Sequence, residues 1–114
     1  MLKIATRNRD TATIVAISGD VDLYSSPQVR KAIIGLTEKK TPLIMVDLHE
    51  VDYMDSSGIA TLVEGLQQVG KYKGELRLFG LTSAVREVFE LSRLDKVFQI
   101  FANEEAAAGS MARG

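Results

Sequence analysis

The stretch from Val51 to Gly65 reads VDYMDSSGIATLVEG. Before it lies an apolar run, Leu43 to Leu48, with the character of a buried strand. After it, Ile59, Leu62, Val63, Leu66 and Val69 recur at the spacing of one helical face. Asp55-Ser56-Ser57-Gly58 therefore falls where a strand-end loop turns into a helix. Asp and Ser suit such a start, because their side-chain oxygens accept from the first unpaired helix amides. That end also carries the positive pole of the helix dipole. A serine there takes phosphate at low cost, since free amides and the dipole both favour an anion.

Outward from this stretch, the chain alternates strand-like and helix-like segments. Leu2 to Arg7 and Thr11 to Ser18 are β-rich, with Asn8-Arg9-Asp10 as a hairpin turn and Gly19 ending the second strand. Ser26-Pro27 opens a helix, Ser26 as cap and Pro27 at the first helical position. Val29, Ala32, Ile33 and Leu36 form its apolar stripe, and Pro42 excludes helix from the residue before it. Leu43-Ile44-Met45-Val46 is continuous rather than alternating, as in a central strand covered on both faces. The helix after Ser56 closes near Gly70 or Gly74. Leu76 to Phe79 is a further strand, and Thr82 caps a third helix containing Val85, Val88 and Phe89. Val97 to Phe101 reads as a last edge strand or a helix end. Two strand-helix-strand units after a hairpin predict an α/β fold with a mixed sheet. Residues 1–102 form one domain on this reading, and 103–114 a short helix at Glu104 to Ala108 or a flexible C-terminal tail.

Composition narrows the function classes. The chain has 114 residues, 46% of them apolar, enough for one core without staples. There is no cysteine, so neither a disulfide framework nor a thiolate metal site exists. A formal net charge of -1 gives no electrostatic case for nucleic acid. No apolar run approaches the roughly 18 to 20 residues that span a bilayer, and the N-terminus lacks a signal-peptide block. The expectation is a soluble cytoplasmic domain without membrane contact. His49, the single histidine, has no partner at zinc-ligand spacing and reads as a loop residue. No Gly-x-Ser-x-Gly elbow, dinucleotide fingerprint or phosphate loop occurs, so no cofactor and no enzymatic activity are expected.

The Asp55-Ser56-Ser57-Gly58 segment resembles the phosphorylation site of STAS domains, specifically the small bacterial anti-sigma-factor antagonists. A second motif supports the likeness: Gly19-Asp20-Val21-Asp22 after the second strand, followed by Ser25-Ser26-Pro27. The motifs stand in the family's order, and the resemblance covers residues 2–101. It implies a sheet of four to five strands with helices mainly on one face. It also implies that Ser57 is phosphorylated by a partner kinase, with Ser56 a cap or packing residue. The implied partner is an anti-sigma factor with serine kinase activity, released on phosphorylation, and a phosphatase resets the switch. The contact surface expected on this reading takes in Asp20, Asp22, Asp55, Ser56 and Gly58; Tyr24, Tyr53 and Met54 flank those acids, with core packing the default for each and one or two of the three expected at the partner surface.

Topology points the same way. Loops at the carboxyl ends of neighbouring parallel strands share one rim, which gathers Asp20, Asp22, Asp52 and Asp55. Two other readings compete. One is a two-component receiver with Asp47 as acceptor, but the residues after strand one offer only Asp10 and no Lys-Pro follows. The other is an STAS subunit of a lipid-transport or stress-signalling assembly, with the same fold and another partner.

Overall fold

A computed structural model of the chain describes residues 2–109. The elements run β1 Lys3–Arg9, β2 Ala12–Val21, α1 Ser26–Glu38, β3 Leu43–Met54, α2 Ser56–Gly70, β4 Glu75–Phe79, α3 Ser83–Leu91, a 3-10 turn Leu94–Lys96, β5 Gln99–Phe101 and α4 Glu104–Gly109. The five strands form one sheet in the order β1-β2-β3-β4-β5. β1 and β2 pair antiparallel through the two-residue link Asp10-Thr11, with Asp10 at φ 56. β2, β3, β4 and β5 are mutually parallel, so the chain makes three crossovers rather than the two read from sequence.

Strand alternation divides the core. Val15, Val46 and Leu78 lie on one rung and face α1, α2 and α3, where Val29, Ile33, Ile59, Leu62, Val85 and Phe89 close over them. Ile14 and Met45 point to the other face, where α4 covers them with Ala107. Met45 is thus buried on the second face while Ile44 and Val46 fill the first, which explains the unbroken apolar run. Arg7 and Arg9 of β1 hold Glu104 and Glu105 of α4. Arg77, 2% exposed, donates to the carbonyl of Ala107 and to Glu75. The short helix expected near Glu104 is present; the rest of the expected tail, 110–114, lies outside the described residues.

Two strands run further than their sequence suggests. β2 continues past Gly19 to Val21, and β3 continues past Leu48 through His49 to Met54. Their register slips twice, between Ala16 and Ser18 and between Ser18 and Asp20. At each slip β3 advances three residues against two in β2: Asp47 to Glu50, then Glu50 to Tyr53. These are bulges, and Gly19, at φ 108, sits within the second in a backbone that L-residues rarely adopt. The slips turn both Val51 and Met54 into the core although they are three residues apart. His49 is accordingly a strand residue, not the loop residue its sequence suggests.

Candidate functional site

The bulged ends of β2 and β3 carry the two sequence motifs to one place. Asp20 lies opposite Tyr53 and Val21 opposite Met54, and the Asp55 amide donates to the Val21 carbonyl at 3.2 Å. Gly19-Asp20-Val21-Asp22 and Asp55-Ser56-Ser57-Gly58 are therefore joined by backbone pairing, as loop topology predicts.

Asp55 is the N-cap of α2, extended at φ -106 and ψ -169. Of the Asp and Ser that both suit a helix start, the cap is this carboxylate and not Ser56. Asp55 Oδ1 accepts from the Ser57 amide at 2.9 Å and from the Ser57 hydroxyl at 2.5 Å. The Ser57 hydroxyl, above all, holds the Asp55 carboxyl below the ordinary range, and the Ser57 and Gly58 amides add to it against partial desolvation. Ser56 is exposed and its side chain makes no hydrogen bond among the described residues, whereas Ser57 is half-buried. Gly58 is buried: a Cβ there would lie 2.7 Å from Met54 Cγ and 2.8 Å from Val21 Cγ1. This glycine lets the first turn of α2 sit directly on the strand ends.

Asp22 shapes the other loop. Its Oδ1 accepts from the Tyr24 amide at 2.9 Å and the Ser25 amide at 3.0 Å. The Ser25 hydroxyl accepts from the Asp22 amide at 2.9 Å and lies 2.8 Å from the Asp20 carbonyl and 3.1 Å from Asp22 Oδ1. These bonds fold residues 22–25 into a tight turn before α1. Ser25, rather than Ser26, occupies the N-cap position of α1 and makes no side-chain cap bond, while Ser26 is buried. Asp20 stands exposed beside this turn.

The STAS domain family model matches residues 3–107. This chain belongs to the STAS domain family. It is 32% identical over 100 residues to the anti-sigma-B factor antagonist of Listeria monocytogenes, which spans 87% of this chain and 88% of that protein. Its fold superposes on a solved anti-sigma factor antagonist from Mycobacterium paratuberculosis with a TM-score of 0.88, at 24% identity over 95% of this chain and 92% of that one. It likewise matches the anti-sigma factor antagonist SpoIIAA solved unphosphorylated (TM-score 0.81, 21% identity, 93% of both chains) and the Bacillus cell fate determinant SpoIIAA solved phosphorylated (TM-score 0.74, 20% identity, 93% and 96%).

Around the joined loops, the STAS domain exposes apolar surface. Tyr24 is 89% exposed, Leu23 69% and Tyr53 50%, and Asp20 and Asp52 are exposed among them. Tyr and Leu side chains so placed are available to a partner. Met54, named with them from sequence, is 3% exposed and belongs to the core. Gly58 likewise has no outward surface, so both support the site from beneath. Leu23 escaped the sequence reading. Its signal was available: an apolar residue between Asp22 and the Ser-Ser-Pro helix start matches neither strand nor helix period.

Among the described residues, no three His, Asp or Glu side chains are grouped to hold a metal ion. No described helix is long and apolar enough to cross a membrane. Asp47, the receiver-like aspartate, is buried on the second sheet face, where its Oδ1 lies 2.6 Å from His49 Nδ1 and accepts from the His49 amide at 3.0 Å. That carboxylate raises the pKa of His49 against a smaller desolvation effect, and Glu50 adds to the rise.

Proposed function

We propose that this STAS domain is an anti-sigma-factor antagonist controlled by phosphorylation of Ser57. The unmodified domain binds an anti-sigma factor that is also a serine kinase, and so frees a sigma factor for transcription. The kinase uses ATP to phosphorylate Ser57, the complex separates, and a phosphatase restores the binding form. The domain acts here as a binding module and substrate, in the cytoplasm where transcription occurs. Asp20, Asp22, Tyr24, Tyr53, Asp55 and Ser56 would contribute to or shape the bound surface, with Leu23 added by its exposure.

The observation that carries this reading is the location of Ser57. It lies in the first turn of α2, directly after the β3 end that pairs with Asp20 and Val21, so both sequence motifs share its rim, and the exposed Leu23, Tyr24 and Tyr53 belong to the same strand-end segments. The name of the Listeria relative and the phosphorylated form of SpoIIAA support it. Phosphate adds about -1.5 to -2 charge and three acceptor oxygens to that rim.

The test uses the anti-sigma-factor-type serine kinase encoded in the same genome. With ATP and Mg it should label this domain on Ser57, mapped by mass spectrometry, and Ser57→Ala should abolish the label. Calorimetry should show the unmodified domain binding that kinase at least about tenfold more tightly than the phosphorylated one, a difference of about 1.4 kcal/mol. Phosphate on Ser56 or Asp47, or equal binding by both forms, rejects the proposal.

A further inference from the structure

We infer that Asp55 is a positioning residue for phosphoryl transfer to Ser57, and that it selects Ser57 over its neighbour Ser56. The inference rests on the function proposed above and adds a mechanism to it. Exposure alone would choose the wrong serine, since Ser56 is exposed and Ser57 only half-buried. What separates them is hydrogen bonding. The Ser57 hydroxyl donates its proton to Asp55 Oδ1 at 2.5 Å, while the Ser57 amide fixes the same oxygen at 2.9 Å. The amide bond sets where the carboxylate sits, and the hydroxyl bond then sets the Ser57 rotamer. With its proton turned toward Asp55, the Oγ lone pairs point away from the carboxylate and remain free to attack. Ser56 has no such partner among the described residues, so its hydroxyl rotates freely and holds no attack geometry. Orientation of a nucleophile is a recognised source of rate, separate from binding.

In the transfer, the bond from Ser57 Oγ to the γ-phosphorus of a nucleoside triphosphate forms as the bond from that phosphorus to the bridging oxygen breaks. The nucleoside diphosphate leaves with the bridging electrons. The hydroxyl proton leaves along its hydrogen bond to Asp55 and passes on to water or to a base of the kinase. Asp55 is poorly suited to keep it, because the hydrogen bonds that fix this carboxylate also favour its ionised form. Its part is to orient and polarise the hydroxyl. Once Oγ carries phosphate it has no proton to donate, and Asp55 loses that bond.

Asp55→Asn tests this because asparagine caps helices about as well as aspartate but accepts without charge. A capping role alone would leave phosphorylation unchanged. The positioning role predicts that kcat for phosphorylation of Asp55→Asn by the same-genome kinase falls about tenfold, because a charge-assisted bond is roughly twice as strong as a neutral one. KM should change less than kcat, because positioning acts on the chemical step, and the thermal midpoint should stay near wild type. Asp55→Ser, a second capping residue without a carboxylate, should show the same split. A larger share of product on Ser56 is expected in both variants. A kinase-independent arm reads the Asp55 carboxyl by NMR titration. Its midpoint should rise in Ser57→Ala and in the domain carrying phosphoserine at 57, because each lacks the donating hydroxyl. Equal kcat in wild type and Asp55→Asn, or an Asp55 midpoint indifferent to Ser57, overturns the inference while leaving Ser57 as acceptor. Failure of the kinase to label wild type removes the proposed function itself and this inference with it.

Discussion

Replacing Gly58 by alanine pits two effects of known size against each other. In a helix, alanine is favoured over glycine by about 0.8 to 1 kcal/mol. Against that, the new Cβ would stand 2.7 Å from Met54 Cγ and 2.8 Å from Val21 Cγ1, with Met54 Sδ at 3.3 Å. Comfortable carbon contacts are about 3.5 to 4.0 Å, so both neighbours must retreat by nearly an ångström. Met54 can flex, but Val21 is β-branched and fully buried, and it is held to Met54 by strand pairing. Overpacking of this kind costs about 1 to 3 kcal/mol. The clash should win, leaving Gly58→Ala destabilised by about 1 kcal/mol. Gly35, inside α1, provides the control, since a Cβ there meets nothing within 4 Å. Gly35→Ala should gain up to about 1 kcal/mol by propensity alone. Urea denaturation of wild type and both variants should therefore move the midpoints in opposite directions at constant slope. If Gly58→Ala matches or exceeds Gly35→Ala in stability, the close approach of α2 to the strand ends is wrong. The reasoning about how the two loops are held together would fail with it.

Further outcomes concern the second sheet face. Arg77→Ala should cost about 3 to 5 kcal/mol in thermal or denaturant unfolding, since it strips a buried cation from Glu75 and the Ala107 carbonyl. Glu104 is held at a pKa of about 2, against 4.5 unperturbed, by its hydrogen bond to Arg7 and then by Arg9. Its stabilisation is present above pH 4.5 and lost as pH falls toward 2; with partly exposed partners it is on the order of 1 kcal/mol, and Glu104→Gln should flatten the acid limb by that amount. His49 has the opposite sign: its raised pKa stabilises the fold fully below pH 6.5, and the contribution disappears as pH rises through the folded-state value. Because the ring is exposed the effect should be a few tenths of a kcal/mol, seen as a small drop in urea midpoint from pH 6 to 8 that Asp47→Asn removes.

Much of the fold was readable because the parallel strands and main helices carry clean periodicity. Leu43 to Val46 announced a strand buried on both faces, and Ile59, Leu62 and Val69 a helix stripe. What was not readable came from register. Val51 and Met54 both turn inward at a spacing of three, which matches neither strand nor helix, because bulges lie between them. Without the pairing to β2, the segment from His49 to Met54 looks like a loop. The same blindness leaves Met54 open between core packing and partner contact beside Tyr53, until the bulge turns it into the core. Asp22 and Asp55 were visible as acids of one rim. Their local bonds were not, since whether an aspartate faces outward or folds its own turn depends on backbone angles that spacing does not encode. The α4 cover was legible as a helix from Glu104, but its anchoring was not, because Arg7 and Arg9 stand about a hundred residues earlier.

The architecture also bears on how a phosphate on Ser57 would act. The rim is not a free loop: Val21, Val51 and Met54 root it in the core, and the Asp55 amide ties it to β2. Melting it would mean breaking buried packing worth several kcal/mol, at about 1.5 to 3 kcal/mol for each large apolar side chain exposed. A dianion at the start of α2 acts through two opposed effects, neither of which requires the rim to melt. The helix dipole favours it by about 0.3 to 1 kcal/mol. Repulsion from Asp55, at roughly 5 Å and a near-surface effective dielectric between about 20 and 80, is about 1 to 6 kcal/mol before salt and rotation of the phosphate reduce it. The phosphate can turn outward to relieve that strain within the free domain. On the proposed function it could not do so against a bound partner, which would occupy the outward space and have to desolvate the dianion. The penalty would therefore fall on the complex rather than on the fold, so the expected outcome is separation without unfolding, with the denaturant midpoint of the phosphorylated domain close to that of the unmodified one.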